Sequence, residues 1–268
     1  TKKKERVYYL NEENYSIITD NVIFAGQVRV NDFRAVIEKR GARLSVNSQA
    51  LFNEHVLNYS REKSDNLDVN IVSSTDITYF VNSNHPAKKL LSNGEFKMTS
   101  IRNLDTQKAT VSIDLNDFVL INTPASLKLL SLPSISGLVS IAEGEEGIRF
   151  GYGEINYLET EDEFSEIEAF AVSDSLGLIM EGNIDRKNKI VDMNGEISPM
   201  HLVNAIIQKL PILGPIIVGG EGEGMFSIDF KMKGSSEDPE VESNPLTIIK
   251  PRIIERALEA FDNNTTIQ

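Results

Sequence analysis

Met225-Phe226-Ser227-Ile228-Asp229-Phe230-Lys231-Met232-Lys233 alternates apolar and polar residues without a break. Phe226, Ile228, Phe230 and Met232 fall on one side of an extended chain, and Ser227, Asp229, Lys231 and Lys233 on the other. A two-residue period marks a half-buried β-strand, because successive side chains leave an extended backbone on opposite faces. The alternation recurs outward along the chain. Leu67, Val69 and Ile71 alternate with Asp68 and Asn70, and Val111, Ile113 and Leu115 with Ser112 and Asp114. Val22, Phe24, Val28 and Val30 share a face with Gly26 in one expected strand, and Ala42, Leu44 and Val46 line the next. Further strands are expected at 94–102, 118–122, 148–157, 166–172, 176–184 and 189–197. Short polar turns such as Asp185 to Asn188 separate many of them, as antiparallel hairpins require. The expected fold is mainly β.

Helical spacing interrupts this pattern in a few places. Thr123 is placed to cap a helix opening at Pro124, where the missing proline N–H costs nothing, and a second short helix is expected after Pro133. Ser198 caps Pro199 to Leu210, in which Leu202, Val203, Ile206, Ile207 and Leu210 recur at helical spacing. Ile253, Ile254, Leu258 and Phe261 form a last stripe against Arg252, Glu255, Arg256 and Glu259. Both stripes fit core packing and equally fit short helices that plug the end or edge of a sheet.

Composition removes several function classes. The 268 residues carry 27 Lys and Arg against 40 Asp and Glu, a net charge of −13. Nucleic-acid binding needs clustered cations, and the only dense basic run is Lys2-Lys3-Lys4. Without cysteine there is no disulfide framework, thiolate nucleophile or Cys-ligated metal. His55, His85 and His201 are scattered and form no metal-binding spacing, and no G-x-S-x-G elbow accompanies the serines. Gly219-Gly220-Glu221-Gly222-Glu223-Gly224 resembles a phosphate loop only in its glycines, since Glu221 and Glu223 repel phosphate and no Gly-Lys-Ser/Thr follows. Glu143-Gly144-Glu145-Glu146-Gly147 reads the same way, and Glu159 to Glu168 reads as a solvated loop. Asp192-Met193-Asn194-Gly195 lacks the rest of an EF-type calcium loop, and no Trp is present to form a sugar platform. No enzyme, metal or cofactor is expected.

The chain opens at Thr1 with no apolar stretch behind it, so it is expected to be part of a longer protein. No segment approaches the roughly 20 apolar residues that cross a bilayer. The best candidate, Leu210 to Val218, is short and carries Pro211 and Pro215.

From Asn122 onward the order of motifs becomes specific. Asn122-Thr123-Pro124 opens the first helix, which leads to Ile135-Ser136-Gly137-Leu138 and then to Gly147-Ile148-Arg149-Phe150. Gly182-Asn183-Ile184-Asp185 and Asn194-Gly195-Glu196-Ile197-Ser198-Pro199 follow, before a helix that carries Asn204. Leu210-Pro211-Ile212-Leu213-Gly214, Gly222-Glu223-Gly224-Met225-Phe226, Asp238-Pro239 and Asn244-Pro245-Leu246-Thr247 close the series. This succession, over about 120–261, resembles the C-terminal region of the bacterial AsmA-like family, its YhdP-type branch and more distantly the TamB type. Pro215 stands where the family has an apolar residue, and Lys250-Pro251-Arg252 departs from its Pro-Gly-Phe. Read physically, Asp238-Pro239 and Asn244-Pro245 are expected to break pairing where the sheet stops.

The resemblance implies a bridge-like lipid transfer protein: a long bent antiparallel sheet forming an open apolar groove, with short helices closing its C-terminal end. The implied organisation is an edge or tail at 1–20, a β-groove segment with a short helix at 21–122, the family-like segment at 123–261, and a disordered tail at 262–268. The implied partners are phospholipid acyl chains, the inner and outer membranes, and an envelope protein. The implied place is the periplasm, tethered by an upstream helix, in support of outer-membrane biogenesis. Val22, Phe24, Val28, Leu44, Val46, Val69, Ile71, Val111, Ile113, Phe226, Ile228, Phe230 and Met232 are the expected lipid-facing residues, with charged residues on the opposite, wet face. The competing expectation is a structural or adhesive β segment with a closed, ligand-free core, in which the same residues pack against one another.

Overall fold

The computed structural model describes residues 12–23, 29–52, 54–77, 91–121, 143–144, 147–174, 176–199 and 226–248. They form a single 15-stranded sheet in which every pairing is antiparallel. In order these are β1 (Glu12–Ile23), β2 (Arg29–Arg40), β3 (Arg43–Phe52), β4 (His55–Lys63), β5 (Leu67–Ser74), β6 (Leu91–Ser92), β7 (Glu95–Asn103) and β8 (Ala109–Ile121). Then come β9 (Glu143–Gly144), β10 (Gly147–Glu159), β11 (Glu163–Val172), β12 (Leu176–Asp185), β13 (Ile190–Pro199), β14 (Phe226–Ser235) and β15 (Glu240–Ile248). Apart from the two-residue strands β6 and β9, each strand pairs with the one before and the one after it, so the sheet is an open meander from β1 to β15. No helix occurs among the described residues. The helices expected at 124–130, after Pro133, at 199–210 and at 253–261 lie outside those residues, apart from Pro199 at the end of β13.

Hairpin chemistry sets this order. Asp185 accepts hydrogen bonds from the Asn188 backbone and side-chain amides, both at 2.8 Å, and so closes the β12–β13 turn. The Thr160 N–H donates to the Glu163 carbonyl at 2.9 Å between β10 and β11. Glu159 to Glu168 is therefore strand, turn and strand, and the solvated loop expected there is corrected. The pattern was missed because Glu159, Glu163, Glu166 and Glu168 hide the apolar set Phe164 and Ile167.

Two further expectations change. Val22 to Val30 is not one strand: Val22 is the last residue but one of β1, Val30 the second of β2, and the two sit directly opposite each other. Asn244-Pro245 does not stop the sheet but lies inside the last strand, with Asn244 opposite Asp229 beside a register shift. Proline is tolerated there because an edge strand leaves one row of N–H groups unpaired. The Asp238-Pro239 pair does break pairing: the Asp238 N–H donates to Ser235 in the β14–β15 turn.

Register shifts interrupt the ladders between Asn31 and Arg34, Phe164 and Ile167, and Ser227 and Asp229. Asp32 (φ 49°) and Glu166 (φ 50°) occupy two of them, and Asp117 (φ 52°) takes the same left-handed conformation within β8. Such bulges bend a strand and increase its twist. The main hydrophobic cluster runs along one face from Phe96 and Val111 through Ala171 and Leu176 to Ile228 and Phe230. A smaller one joins Val30, Ala50, Phe52 and Leu57 at the β2–β4 end.

Candidate functional site

Residues directly opposite in an antiparallel ladder point to the same face, so the face of each side chain follows from the register. From Ile113 one rung runs to Met98, Val72 and Tyr59 on one side. On the other it runs to Ile155, Ala169, Met180, Gly195 and Phe230. The rung beside it links Val46, Arg61, Asn70, Ser100, Val111 and Tyr157. A third joins Ala50, Leu57, Ser74, Phe96 and Leu115, and passes through Gly153 and Ala171 to Leu178, Ile197 and Ile228. Together they make a mainly apolar strip that Arg61, Asn70 and Ser100 interrupt in its middle rung. At about 4.8 Å per strand, the ten strands that these rungs cross from β3 to β14 give a contour of roughly 43 Å.

One border of the strip is charged. Glu13, Lys39, Lys63, Asp68, Arg102 and Glu159 lie in one row on the same face, with Leu44 between Lys39 and Lys63 and Ala109 between Arg102 and Glu159. They form ion pairs along it or with a neighbouring row: Lys39–Glu13 at 3.6 Å, Arg61–Asp68 at 2.6 Å, and Arg102 and Arg186 each at 3.3 Å from Glu159. Asp68 is held below the ordinary carboxylate range, chiefly by hydrogen bonds from the Arg61 guanidinium, although burial opposes this. Tyr157, edge-on to Phe164 with ring centroids 5.0 Å apart, has its hydroxyl pushed up to about 12 by burial.

The strip accounts for most, but not all, of the expected residues. Val22, Leu44, Val46, Val111, Ile113, Ile228, Phe230 and Met232 all share its face. Val69 and Ile71 do not. They pair with Ile101 and Thr99 and leave Val72 on the strip, so their assignment is corrected. In Leu67-Asp68-Val69-Asn70-Ile71-Val72 the apolar set at 67, 69 and 71 outnumbers the polar set, and alternation alone selects the wrong face. The Arg61–Asp68 pair is what turns Asp68 to the strip side. Phe24 and Val28 lie outside the described residues. Phe226 is the first residue of β14, opposite Ile248.

The opposite face is polar over β1–β5, while Phe170, Val172 and Ile179 are buried on it further along. The Ser45 hydroxyl donates to Glu62 at 2.6 Å, and the Gln49 amide to Asn58 at 3.0 Å. A cavity of about 550 Å³ lies there over β1–β5, with Ile18, Val36 and Ile71 among serines and asparagines. Further along, Asp114 has its carboxyl pushed up by burial and by Glu154, with Lys97 opposing. Among the described residues no three His, Asp or Glu side chains are grouped to hold a metal, and no helix is long and apolar enough to cross a membrane.

No protein-family model, curated protein or solved structure matches the chain.

Proposed function

We propose that the chain is a non-enzymatic carrier of phospholipid acyl chains, moving them along the apolar strip between the inner and outer membranes of a bacterial envelope. The carrying observation is the strip itself: three adjacent rungs on one face, apolar over β8–β14, interrupted by Arg61, Asn70 and Ser100 nearer β1, and bordered by ion pairs. An acyl tail of about sixteen methylenes at roughly 0.8 kcal/mol each costs on the order of 13 kcal/mol to expose to water. A continuous dry track lowers that cost without a catalytic group, and the charged border gives a headgroup a polar place beside it. Leu44 and Val46 are only half-buried, so this part of the strip is open to a ligand.

The test is lipid content. Organic extracts of the purified chain, analysed by mass spectrometry, are expected to contain phospholipid. Val46→Glu is expected to reduce it at least severalfold while the circular dichroism spectrum stays that of a β protein. A lipid-free, stable wild-type chain sinks the proposal.

A second reading, a structural β segment with a closed dry core, is favoured by one observation at the other end of the strip. Val111, Ile113, Ile228 and Phe230 are all at most 5% exposed, as core residues are. Under that reading the extract contains no lipid and Val46→Glu is silent.

A further inference from the structure

On the polar face, behind the strip, Glu196 of β13 stands directly opposite Asp229 of β14. Glu196 is 6% exposed, its Oε1 has no hydrogen-bond partner, and neither has Oδ1 of Asp229. On its other side Glu196 faces Ile179, which is itself buried and offers no hydrogen bond. Two positions along β13, the fully buried Ser198 also has an unpartnered hydroxyl. Glu196 and Asp229 line a cavity of about 660 Å³ shared with Glu181, Asn194 and Glu242. Lys231 lines it too, but neither Glu196 Oε1 nor Asp229 Oδ1 receives a hydrogen bond from it.

Like charges directly opposite in a ladder repel, and a buried carboxylate oxygen without a donor is costly. Native structures rarely leave such a group unexplained, and one of the explanations is a bound ion. We propose that the Glu196–Asp229 pair is a binding site for a hard divalent cation of the Ca²⁺ or Mg²⁺ class. The donors are all oxygen, which suits such ions and not thiophilic or imidazole-preferring metals. Two carboxylates balance two positive charges, and the cavity leaves room for the waters that complete the shell. The site lies on the face opposite the lipid-facing strip, so it stands whether or not the chain carries lipid.

The test uses the whole chain after dialysis against EDTA. Titration calorimetry with CaCl₂ and with MgCl₂ is expected to give one site per chain for at least one of them. At a hundredfold excess over Kd that ion raises Tm by on the order of 5 °C above NaCl of equal ionic strength. In Glu196→Gln combined with Asp229→Asn the rise disappears, while Tm in EDTA equals or exceeds that of the wild type because the repulsion is gone. A purely structural pair would give no such crossover. An equal rise in NaCl, a rise that persists in the variant, or stabilisation by a primary amine but by neither metal overturns the proposal.

Discussion

β1 to β5 and β8 to β14 are consecutive parts of one ladder, yet they use their apolar faces differently. In β8–β14 the strip is dry: Val111, Ile113, Ile197, Ile228 and Phe230 belong to one buried cluster. The other face of β11–β14 is partly buried as well, at Phe170, Val172 and Ile179. In β1–β5, apart from the small cluster around Val30, Ala50, Phe52 and Leu57, both faces meet water, with Ile17 42% and Ile18 76% exposed on opposite sides of one strand. The strip there is interrupted by Arg61, Asn70 and Tyr59, the last of which donates to Asn70 at 2.9 Å. Antiparallel pairing thus carries the sheet onward even where burial does not. Hydrogen bonds and alternation suffice to propagate a ladder, while stability concentrates where side chains are covered.

This difference predicts a steep gradient of mutational cost. Phe230→Ala should be the most damaging change, at about 3–5 kcal/mol, because it leaves a cavity in a side chain's space that is 2% exposed. Chemical denaturation measures it directly. A cost below about 1 kcal/mol would mean that the two regions are equally open and that the contrast is unfounded.

Tyr157 sharpens the same contrast through pH. Its hydroxyl titrates near 12 when folded and near 10 when unfolded, so the folded chain holds the proton longer between those values. Stability present below about pH 10 is therefore lost as pH rises towards 12, by on the order of 2 kcal/mol. Tyr157→Phe should flatten that alkaline limb. An unchanged limb would show that the ring is not dry.

Gly195→Ala addresses a second feature of the buried part. The Phe230 ring lies over Gly195, and an added Cβ would stand 2.8 Å from the Ile179 carbonyl oxygen. Since backbone as well as ring must move, a loss of about 1–3 kcal/mol is expected.

The sequence showed the strands whose alternation is clean, β14, β8 and β13 among them, because one face of each is covered and evolves apolar side chains there. It hid those whose inner row is mixed. In β4 that row is Leu57, Tyr59, Arg61 and Lys63, so periodicity cannot separate the faces. β1 and β15 lie at the open edges, and β1 is exposed along most of its length, leaving little apolar bias to read. Face assignment failed at Val69 and Ile71 for a related reason: a part-buried ion pair occupies the strip side, and alternation counts Asp68 as outward. The Glu196–Asp229 juxtaposition was illegible because it depends on the β13–β14 register, which spans a connection no local pattern fixes.

In the open part, Asp68→Asn should cost about 1–2 kcal/mol by removing the charge that accepts from Arg61. That contribution is present above about pH 3.9 and is lost as pH falls through the depressed value, so the variant and the wild type should converge in acid.

The smallest effect should come from Ile18→Lys, and it separates the two faces. Ile18 is exposed, touches neither hydrophobic cluster and pairs with Arg34 on the polar side, so stability should change by no more than about 0.5 kcal/mol. If the strip carries the acyl chains as proposed, lipid content should also be unchanged, because Ile18 is on the other side of the sheet from Val46. Ile18 lines the cavity over β1–β5 together with Val36 and Ile71, so apolar side chains gather around a hollow on this face too. Loss of lipid from Ile18→Lys with retention in Val46→Glu would move the ligand to that cavity and leave the strip as core alone.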